Sequence, residues 1–144
     1  MSREKNVEDN HLSIDATGVG GGVIDRLTEQ GFRINPIDFG AGAKDDWKDL
    51  TQHTRFKNRR AELWWRMRLM LQKNLLSIPE KYTELWADLT APRFTLDSSG
   101  RVVIEPKDQI KKRIGRSTDL GDALACAVAT GLGNSYGSAE VIWV

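Results

Sequence analysis

The segment His11–Phe39, HLSIDATGVGGGVIDRLTEQGFRINPIDF, contains the pattern that decides the fold. Its first five residues alternate apolar and polar side chains and end in Asp15, which predicts a short strand. A glycine-rich turn follows, a helix runs from Val23 to Gln30 with Gly31 as its cap, and Phe32–Phe39 predicts a second strand. Strand, turn, helix and strand form one βαβ unit, in which the two strands are parallel neighbours.

The rest of the chain predicts further helices and one hairpin. The longest apolar stripe at helical spacing starts after Asn58, a residue that favours the N-cap position. Ser117 or Thr118 is the candidate cap of the last helix. The expected elements are, in order, a helix over 59–73, a helix over 82–89, a hairpin over 93–105, a basic helical segment over 107–113 and a helix ending near 130. Together with the βαβ unit they predict an α/β domain with a mixed sheet flanked by helices.

The composition indicates one globular domain. The 144 residues carry a formal net charge of +1, so no global excess of basic residues marks a nucleic-acid-binding protein. Cys126 is the only cysteine, which excludes an internal disulfide and a cysteine-based metal motif. No apolar run is long enough to span a bilayer, and no signal peptide is present. We therefore expect a protein that works inside a cell and has no membrane partner.

Three aspartates are the best candidates for a metal site. Asp119 and Asp122 lie three residues apart at the start of the last predicted helix, which places them on one helix face. Such acids often only complement the helix dipole. Asp15, however, ends the first strand, and carboxylates gathered at strand and helix ends are typical ligands of hard divalent cations. If the last helix starts beside this strand, the three acids converge on a Mg²⁺ or Mn²⁺ site for two-metal hydrolysis of a phosphodiester.

A dense basic run precedes the acidic pair. Lys111, Lys112, Arg113 and Arg116 stand directly before Asp119 in the sequence. A site that hydrolyses a phosphodiester needs nearby cations to hold the nucleic-acid backbone. A solvated helix face is an equally good explanation of such a run. We predict these four residues as phosphate contacts of bound DNA.

The glycine-rich turn suggests a different function. Gly18 and Gly20 follow a strand, and Asp38 lies about twenty residues further on, as in the dinucleotide-binding pattern. Val23, however, occupies the position of the third glycine, and no Gly-Lys-Ser/Thr completes a phosphate-binding loop. A small nucleotide-binding α/β domain that uses Gly18–Gly22 is therefore an alternative, whereas the simpler role of these glycines is to turn the chain sharply beside the first strand.

Five segments together resemble the C-terminal nuclease domain of the large terminase subunit of tailed bacteriophages. In order they are IDATGVGGGV (14–23), FGA (39–41), FKNRRAELWW (56–65), IEPKD (104–108) and KKRIGRSTDLGDAL (111–124). Each segment alone is a weak signal, and their order and spacing carry the resemblance. It implies an RNase H-like fold and a metal-dependent endonuclease that cuts concatemeric viral DNA during genome packaging.

The resemblance also implies roles for individual residues. Asp15 looks like the second catalytic acid of the family, Asp122 looks like the acid of the C-terminal helix, and Asp119 looks like an auxiliary ligand or a helper. The implied cofactor is Mg²⁺ or Mn²⁺. The implied partners are double-stranded DNA, the terminase ATPase domain, the small terminase subunit and the portal. The implied location is the cytoplasm of a bacterial host, with the gene carried by a phage or prophage.

The chain departs from this family at its N-terminus. The nuclease domain of the family normally begins with a hairpin whose first strand carries a further metal-binding acid, and this chain starts about one strand before Asp15. We therefore expect an N-terminally truncated RNase H-like domain over 11–133, with a disordered or truncated start at 1–10 and a tail at 134–144. The missing strands would expose a sheet edge that invites self-association. An alternative function is that of a catalytically impaired fragment used only for DNA docking or assembly.

Overall fold

The computed structural model describes residues 12–17, 20–45 and 51–130. The elements are β1 (Leu12–Asp15), α1 (Gly20–Glu29), β2 (Ile34–Ile37), α2 (Arg59–Gln72), α3 (Thr83–Thr90), β3 (Phe94–Leu96), β4 (Val102–Ile104), α4 (Lys107–Ile114) and α5 (Asp119–Thr130). The predicted start over 1–10, the predicted tail over 134–144, and Gly18 of the predicted turn lie outside the described residues.

The predicted βαβ unit is present. β1 and β2 are parallel neighbours with Asp15 opposite Ile37, and the backbone N–H of Ala16 donates to the Ile37 carbonyl at 2.9 Å. α1 joins the two strands and begins at Gly20, earlier than the predicted start at Val23. Glycine is a poor helix former, so the local sequence favours a later start than the one the fold adopts.

Local signals mark the ends of several helices. The Asn58 side chain accepts a hydrogen bond from the backbone N–H of Ala61 at 3.0 Å and caps α2, as predicted. Gly31 follows α1 with φ of 84°, and Gly115 follows α4 with φ of 80°. This left-handed conformation is energetically less costly for glycine than for residues with a side chain, so a glycine at each position allows the helix to end there.

The predicted hairpin is formed by β3 and β4. The strands pair antiparallel, with Phe94 opposite Ile104. The Asp97 carboxylate accepts hydrogen bonds from the backbone N–H groups of Arg101 at 3.0 Å and Ser99 at 2.9 Å. The hydrogen bond from Arg101 is the main reason why the pKa of Asp97 lies below its ordinary value. Within the described residues the strands thus form two small sheets, one parallel and one antiparallel.

The centre of the core is α2. It is the longest helix of the described chain with 14 residues, and none of the described helices is long and apolar enough to cross a membrane. α2 packs against α5, which also contacts β1 and α3. The buried core residues are Ile37, Phe39, Leu63, Trp64, Met67, Met70, Leu76, Ile78, Leu85, Leu124, Ala125, Cys126 and Val128. This packing places the start of α5 beside the end of β1.

The buried carboxylate of Glu62 connects the segment after β2 to α2. Arg59 Nη1 donates to Glu62 Oε2 at 2.7 Å, and both side chains are almost fully buried. The Glu62 carboxylate also accepts hydrogen bonds from the backbone N–H groups of Lys44 and Asp45, each at 2.9 Å. The Glu62 carboxylate thus has three hydrogen-bond donors, in a buried place where an unpaired charge would be costly. Glu62 thereby holds the chain after β2 against the first turn of α2, and Arg59 balances its charge.

Candidate functional site

Asp15 lies at the C-terminal end of β1, where the sequence predicts it. Its side chain is 29% exposed. One carboxylate oxygen, Oδ1, accepts a hydrogen bond from the backbone N–H of Thr17 at 2.9 Å. The other oxygen, Oδ2, lies 3.5 Å from the ammonium of Lys107. Asp15 therefore presents one oxygen to the site from a position that solvent reaches.

Asp122 lies in the first turn of α5 and is 4% exposed. Its Oδ1 accepts hydrogen bonds from the Trp64 indole N–H at 2.9 Å and from Arg60 Nε at 3.2 Å. Its Oδ2 lies 3.1 Å from the Lys107 ammonium. The two oxygens of this carboxylate are thus turned to different neighbours, one to α2 and one to α4.

Lys107 is the residue that joins the two acids. It is the first residue of α4, and its Nζ lies between Asp15 Oδ2 and Asp122 Oδ2. Burial lowers the pKa of Lys107, but the negative charges of Asp122 and Asp15 outweigh that effect, and the net shift is upward. The ammonium is therefore charged at neutral pH, and a cation occupies the space between the two carboxylates.

Lys107 is not among the site residues predicted from the sequence. Lys107 begins the predicted basic helical segment over 107–113 and lies in the IEPKD segment of the family resemblance, and neither pattern connects it with the acids. Its partners are distant in sequence, since 92 residues separate it from Asp15. No local spacing pattern connects residues so far apart, so only the fold reveals the contact.

Asp119 occupies a different environment from the other two acids. It is exposed and lines an open groove between α3 and α5, together with Glu84 and Arg116. In the described part of the chain, no three carboxylate, imidazole or thiol groups come close enough to hold a metal ion together. The structure therefore brings Asp15 and Asp122 together, and it does not form the predicted group of three acids.

The four predicted phosphate contacts fall into two pairs. Lys111 and Lys112 are exposed on α4. Arg113 instead donates to both oxygens of Glu105, at 3.0 and 2.6 Å, and its side-chain hydrogen bond lowers the pKa of Glu105. Arg116 forms an ion pair with a buried acid of α3. The two lysines are the cations of this set that project from the surface without such a partner among the described residues.

The partner of Arg116 is Asp88, a residue that the sequence analysis did not single out. Asp88 is 2% exposed, and its Oδ2 accepts hydrogen bonds from the backbone N–H groups of Leu120 at 3.0 Å and Gly121 at 3.3 Å. It therefore caps α5 from a neighbouring helix. The hydroxyl of Thr118, one of the two predicted caps, is buried and makes no hydrogen bond within the described chain.

Cys126 follows Asp122 by one turn of α5 and is buried. Burial raises the pKa of its thiol to about 12, and the negative charges of Asp15 and Asp122 add to the shift. The thiol is therefore protonated at neutral pH and is a poor nucleophile. Cys126 belongs to the core beside the site rather than to its chemistry.

The two acids fit a hard divalent cation. Mg²⁺ is commonly held by one or two carboxylates, with water and substrate oxygens completing its coordination. Asp15 and Asp122 direct their Oδ2 atoms at the same ammonium, at 3.5 and 3.1 Å, so the same two oxygens are placed to share a metal ion. The partial exposure of Asp15 gives such an ion a route from solvent. The residues that could hold it are Asp15 and Asp122.

Solved structures share this fold. The nuclease domain of the large terminase subunit gp2 of bacterial virus Sf6 matches with a TM-score of 0.68 at 23% identity, over 88% of this chain and 67% of that one. A lysine-to-alanine mutant of that domain with manganese matches with a TM-score of 0.68 at 22% identity, over 88% and 68%. No protein-family model and no curated protein matches the sequence. The chain therefore has the fold of a terminase nuclease domain, which confirms the RNase H-like fold predicted from the sequence.

Proposed function

We propose that this chain is a metal-dependent DNA endonuclease domain of the kind found in phage terminase large subunits. The observation that carries the proposal is the meeting of Asp15 and Asp122 around the ammonium of Lys107, at 3.5 and 3.1 Å. Two carboxylates that already share one cation are suited to bind another. The fold shared with the Sf6 gp2 nuclease domain supports the same function. The substrate is concatemeric viral double-stranded DNA, which the domain cuts during genome packaging.

The chemistry is phosphodiester hydrolysis, with Mg²⁺ or Mn²⁺ as cofactor. When bound, a divalent cation activates water and neutralises charge on the phosphate, and a second cation extends this to the leaving oxygen. Asp15 and Asp122 would hold the cofactor. Lys107 leaves its place between the acids, and its ammonium remains close enough to pair with a phosphate oxygen. Asp119 acts as an auxiliary residue in the first turn of α5.

The DNA backbone is held by the basic residues of α4 and of the turn after it. Lys111 and Lys112 are exposed and supply the main contacts with phosphate, because Arg113 and Arg116 are also held by acids of the domain. The partners are DNA, the terminase ATPase domain, the small terminase subunit and the portal. The place of action is the cytoplasm of a bacterial host.

Cleavage of supercoiled plasmid in the presence of Mn²⁺ tests this function. We expect nicked and linear products that disappear with EDTA. Asp15→Ala and Asp122→Ala each lower the rate by about 100-fold or more, since even residues that only support metal ligands contribute 10- to 100-fold. Asp25→Ala, which removes an exposed acid of α1, is the matched control and leaves the rate unchanged. Activity that survives both Asp15→Ala and Asp122→Ala contradicts the assignment.

A catalytically impaired fragment is the second candidate function, because the described residues bring two acids together rather than three. Absence of cleavage together with salt-sensitive DNA binding supports this role in DNA docking or assembly. The third candidate, a nucleotide-binding domain, has less support because Val23 occupies the position of the third glycine and no Gly-Lys-Ser/Thr follows. Calorimetry with ATP and NAD tests it, and the nuclease function predicts binding of neither.

A further inference from the structure

The two oxygens of Asp122 are in different environments. Oδ1 accepts hydrogen bonds from the Trp64 indole N–H at 2.9 Å and from Arg60 Nε at 3.2 Å. Oδ2 lies 3.1 Å from the Lys107 ammonium, on the side of Asp15. Rotation of a carboxylate about its last side-chain bond is otherwise nearly unrestricted. The two donors from α2 thus select one orientation, in which Oδ2 faces the other acid.

The donors themselves have little freedom to move. Trp64 is 6% exposed and Arg60 is 8% exposed. The Arg60 Nη1 donates to the Glu105 carbonyl at 2.8 Å, and its guanidinium lies 5.5 Å from the centre of the Trp64 ring. Trp64 is also part of the hydrophobic core. A rigid core therefore holds the two groups that orient Asp122.

Gly121 allows the indole to reach this position. A Cβ atom on residue 121 would lie 2.6 Å from Cη2 and 3.0 Å from Cζ2 of Trp64, closer than atoms pack. The absence of a side chain lets α5 pack closely on the Trp64 ring at the residue directly before Asp122. The same close packing sets the distance over which the indole N–H donates.

We propose that Trp64 and Arg60 are positioning residues, which fix the Asp122 carboxylate so that its Oδ2 is directed at the cation site before any metal binds. The inference rests on the nuclease function proposed above. A ligand side chain that is already oriented in the folded protein loses no conformational freedom when the metal binds, so affinity for the metal rises. Residues that orient metal ligands through hydrogen bonds typically contribute 10- to 100-fold to metal affinity or activity.

Trp64→Phe tests the role of the indole, because it removes the N–H and keeps an aromatic ring. Mn²⁺ binding is measured on the full chain without DNA, from the loss of the free-ion EPR signal, and thermal unfolding is measured in parallel. We expect Mn²⁺ affinity to fall about tenfold or more. The matched control is Trp86→Phe, in a tryptophan of α3 that packs against the same core, and it keeps the wild-type affinity. Cleavage by Trp64→Phe recovers at high Mn²⁺ concentration, because the change affects affinity.

A second variant and a measurement on the wild-type chain guard against a folding defect in Trp64→Phe. Arg60→Lys keeps the positive charge, but a single ammonium cannot reproduce the two hydrogen bonds that the guanidinium donates to Asp122 and to the Glu105 carbonyl. The Mn²⁺ affinity of this variant should therefore fall as well. In the wild-type chain, NMR follows the indole N–H signals during addition of Mg²⁺. The signal of Trp64 shifts, and the signals of Trp65 and Trp86 do not.

Three results overturn the proposal. Wild-type Mn²⁺ affinity in both Trp64→Phe and Arg60→Lys contradicts the positioning role and leaves the nuclease function intact. A Trp64 indole N–H signal that does not shift on addition of Mg²⁺, while Mn²⁺ binds the wild-type chain, also contradicts the positioning role and leaves the nuclease function intact. Wild-type affinity no higher than that of Asp122→Ala instead overturns the nuclease function, and the positioning role with it.

Discussion

The ammonium of Lys107 separates two carboxylates that would repel each other at the distance the fold imposes. Its Nζ lies within 3.5 Å of one Asp15 oxygen and 3.1 Å of one Asp122 oxygen. A bound cation relieves that repulsion in the same way. A divalent metal held by the same two acids, as proposed above, would therefore compete with the lysine for one place.

Lys107→Met should separate the stabilising effect of the lysine from its competition with a metal ion. The change removes the charge and keeps an unbranched side chain, so Asp15 and Asp122 face each other without a cation. The free energy of unfolding in EDTA should fall by about 1 kcal/mol, since the ammonium is partly exposed. Mn²⁺ should bind more tightly than to the wild type and restore the stability. Lys111→Met, on the exposed face of α4, is the control, and an unchanged Mn²⁺ affinity in Lys107→Met contradicts competition.

Cys126 should make the fold sensitive to alkaline pH. The pKa of its thiol is about 12 in the folded chain against an ordinary value of 9.0. A raised thiol pKa contributes stability that is fully present below pH 9.0 and is lost as pH rises towards 12. Between pH 8 and pH 10 this group alone should lower the free energy of unfolding by about 1 kcal/mol. Lys107, whose pKa is also raised, adds to the loss at higher pH.

Urea unfolding at pH 8, 9 and 10 measures this effect. Cys126→Ser removes the titrating thiol, so its stability should be lower at pH 8 and should change less between pH 8 and pH 10. An equal loss of stability with pH in the wild type and in Cys126→Ser contradicts the assignment of the effect to Cys126.

At the scale of elements, α3 stabilises the start of α5. The Asp88 carboxylate accepts two backbone N–H groups of the first turn of α5 and pairs with Arg116. The first N–H groups of a helix have no partner within the helix and need one from outside. The cap also fixes where α5 begins, and the start of α5 carries Asp122. The helix that presents the acid is therefore positioned by a residue far from it in sequence.

Asp88→Ala should destabilise the domain. The change leaves the N–H groups of Leu120 and Gly121 without their acceptor and Arg116 without its acid. We expect a loss of about 2 kcal/mol in the free energy of unfolding, measured by urea denaturation. Asp119→Ala removes an exposed acid from the same helix turn and should cost less than about 0.5 kcal/mol. Equal losses in the two variants contradict the capping role.

The helices and strands were largely predictable because their signals are local. Asn58 and Gly31 mark helix ends through their own conformational preferences, and alternation of apolar residues identified β1. The start of α1 at Gly20 was missed, because helix propensity alone argues against glycine and packing against the strands decides the outcome. The exact residues at which elements begin and end depend on such packing between distant segments, whereas the order of the elements follows from local sequence.

The site was only partly predictable, for a related reason. Asp15 and Asp122 were identified from their places at the ends of predicted elements. Lys107, Trp64 and Asp88 contact the site or its helix through pairs that are far apart in sequence, such as the 92 residues between Lys107 and Asp15. Such contacts follow from the packing of α2, α3 and α4 around α5. The roles of Asp15, Asp119 and Asp122 as metal ligands stay predictions.

At the scale of the whole molecule, the charges nearly cancel, with a net charge of +1. Affinity for the proposed DNA substrate would therefore come from a local surface, and Lys111 and Lys112 are exposed on one helix. Arg113 and Arg116 are paired with Glu105 and Asp88, so they contribute more to stability than to phosphate binding. The proposed DNA surface is thus smaller than the basic run in the sequence suggests.

Replacement of both lysines by glutamine tests this view. Each phosphate contact contributes about 0.9 to the slope of log affinity against log salt concentration. Lys111→Gln combined with Lys112→Gln should therefore reduce that slope by about 1.8, measured by fluorescence anisotropy with labelled duplex DNA in EDTA. Lys73→Gln combined with Lys81→Gln changes two exposed lysines elsewhere and keeps the wild-type slope. A slope that the first pair leaves unchanged contradicts the predicted DNA surface.

The close approach of Gly121 to Trp64 has a consequence for how this sequence can evolve. A Cβ at position 121 would lie 2.6 Å from the indole ring, so position 121 cannot gain a side chain while position 64 keeps its tryptophan. Positions 64 and 121 should therefore covary among homologous sequences, with a large aromatic residue at the first accompanying glycine at the second. A lineage that acquires alanine at 121 must first shrink the side chain at 64, and it then loses the indole that donates to Asp122.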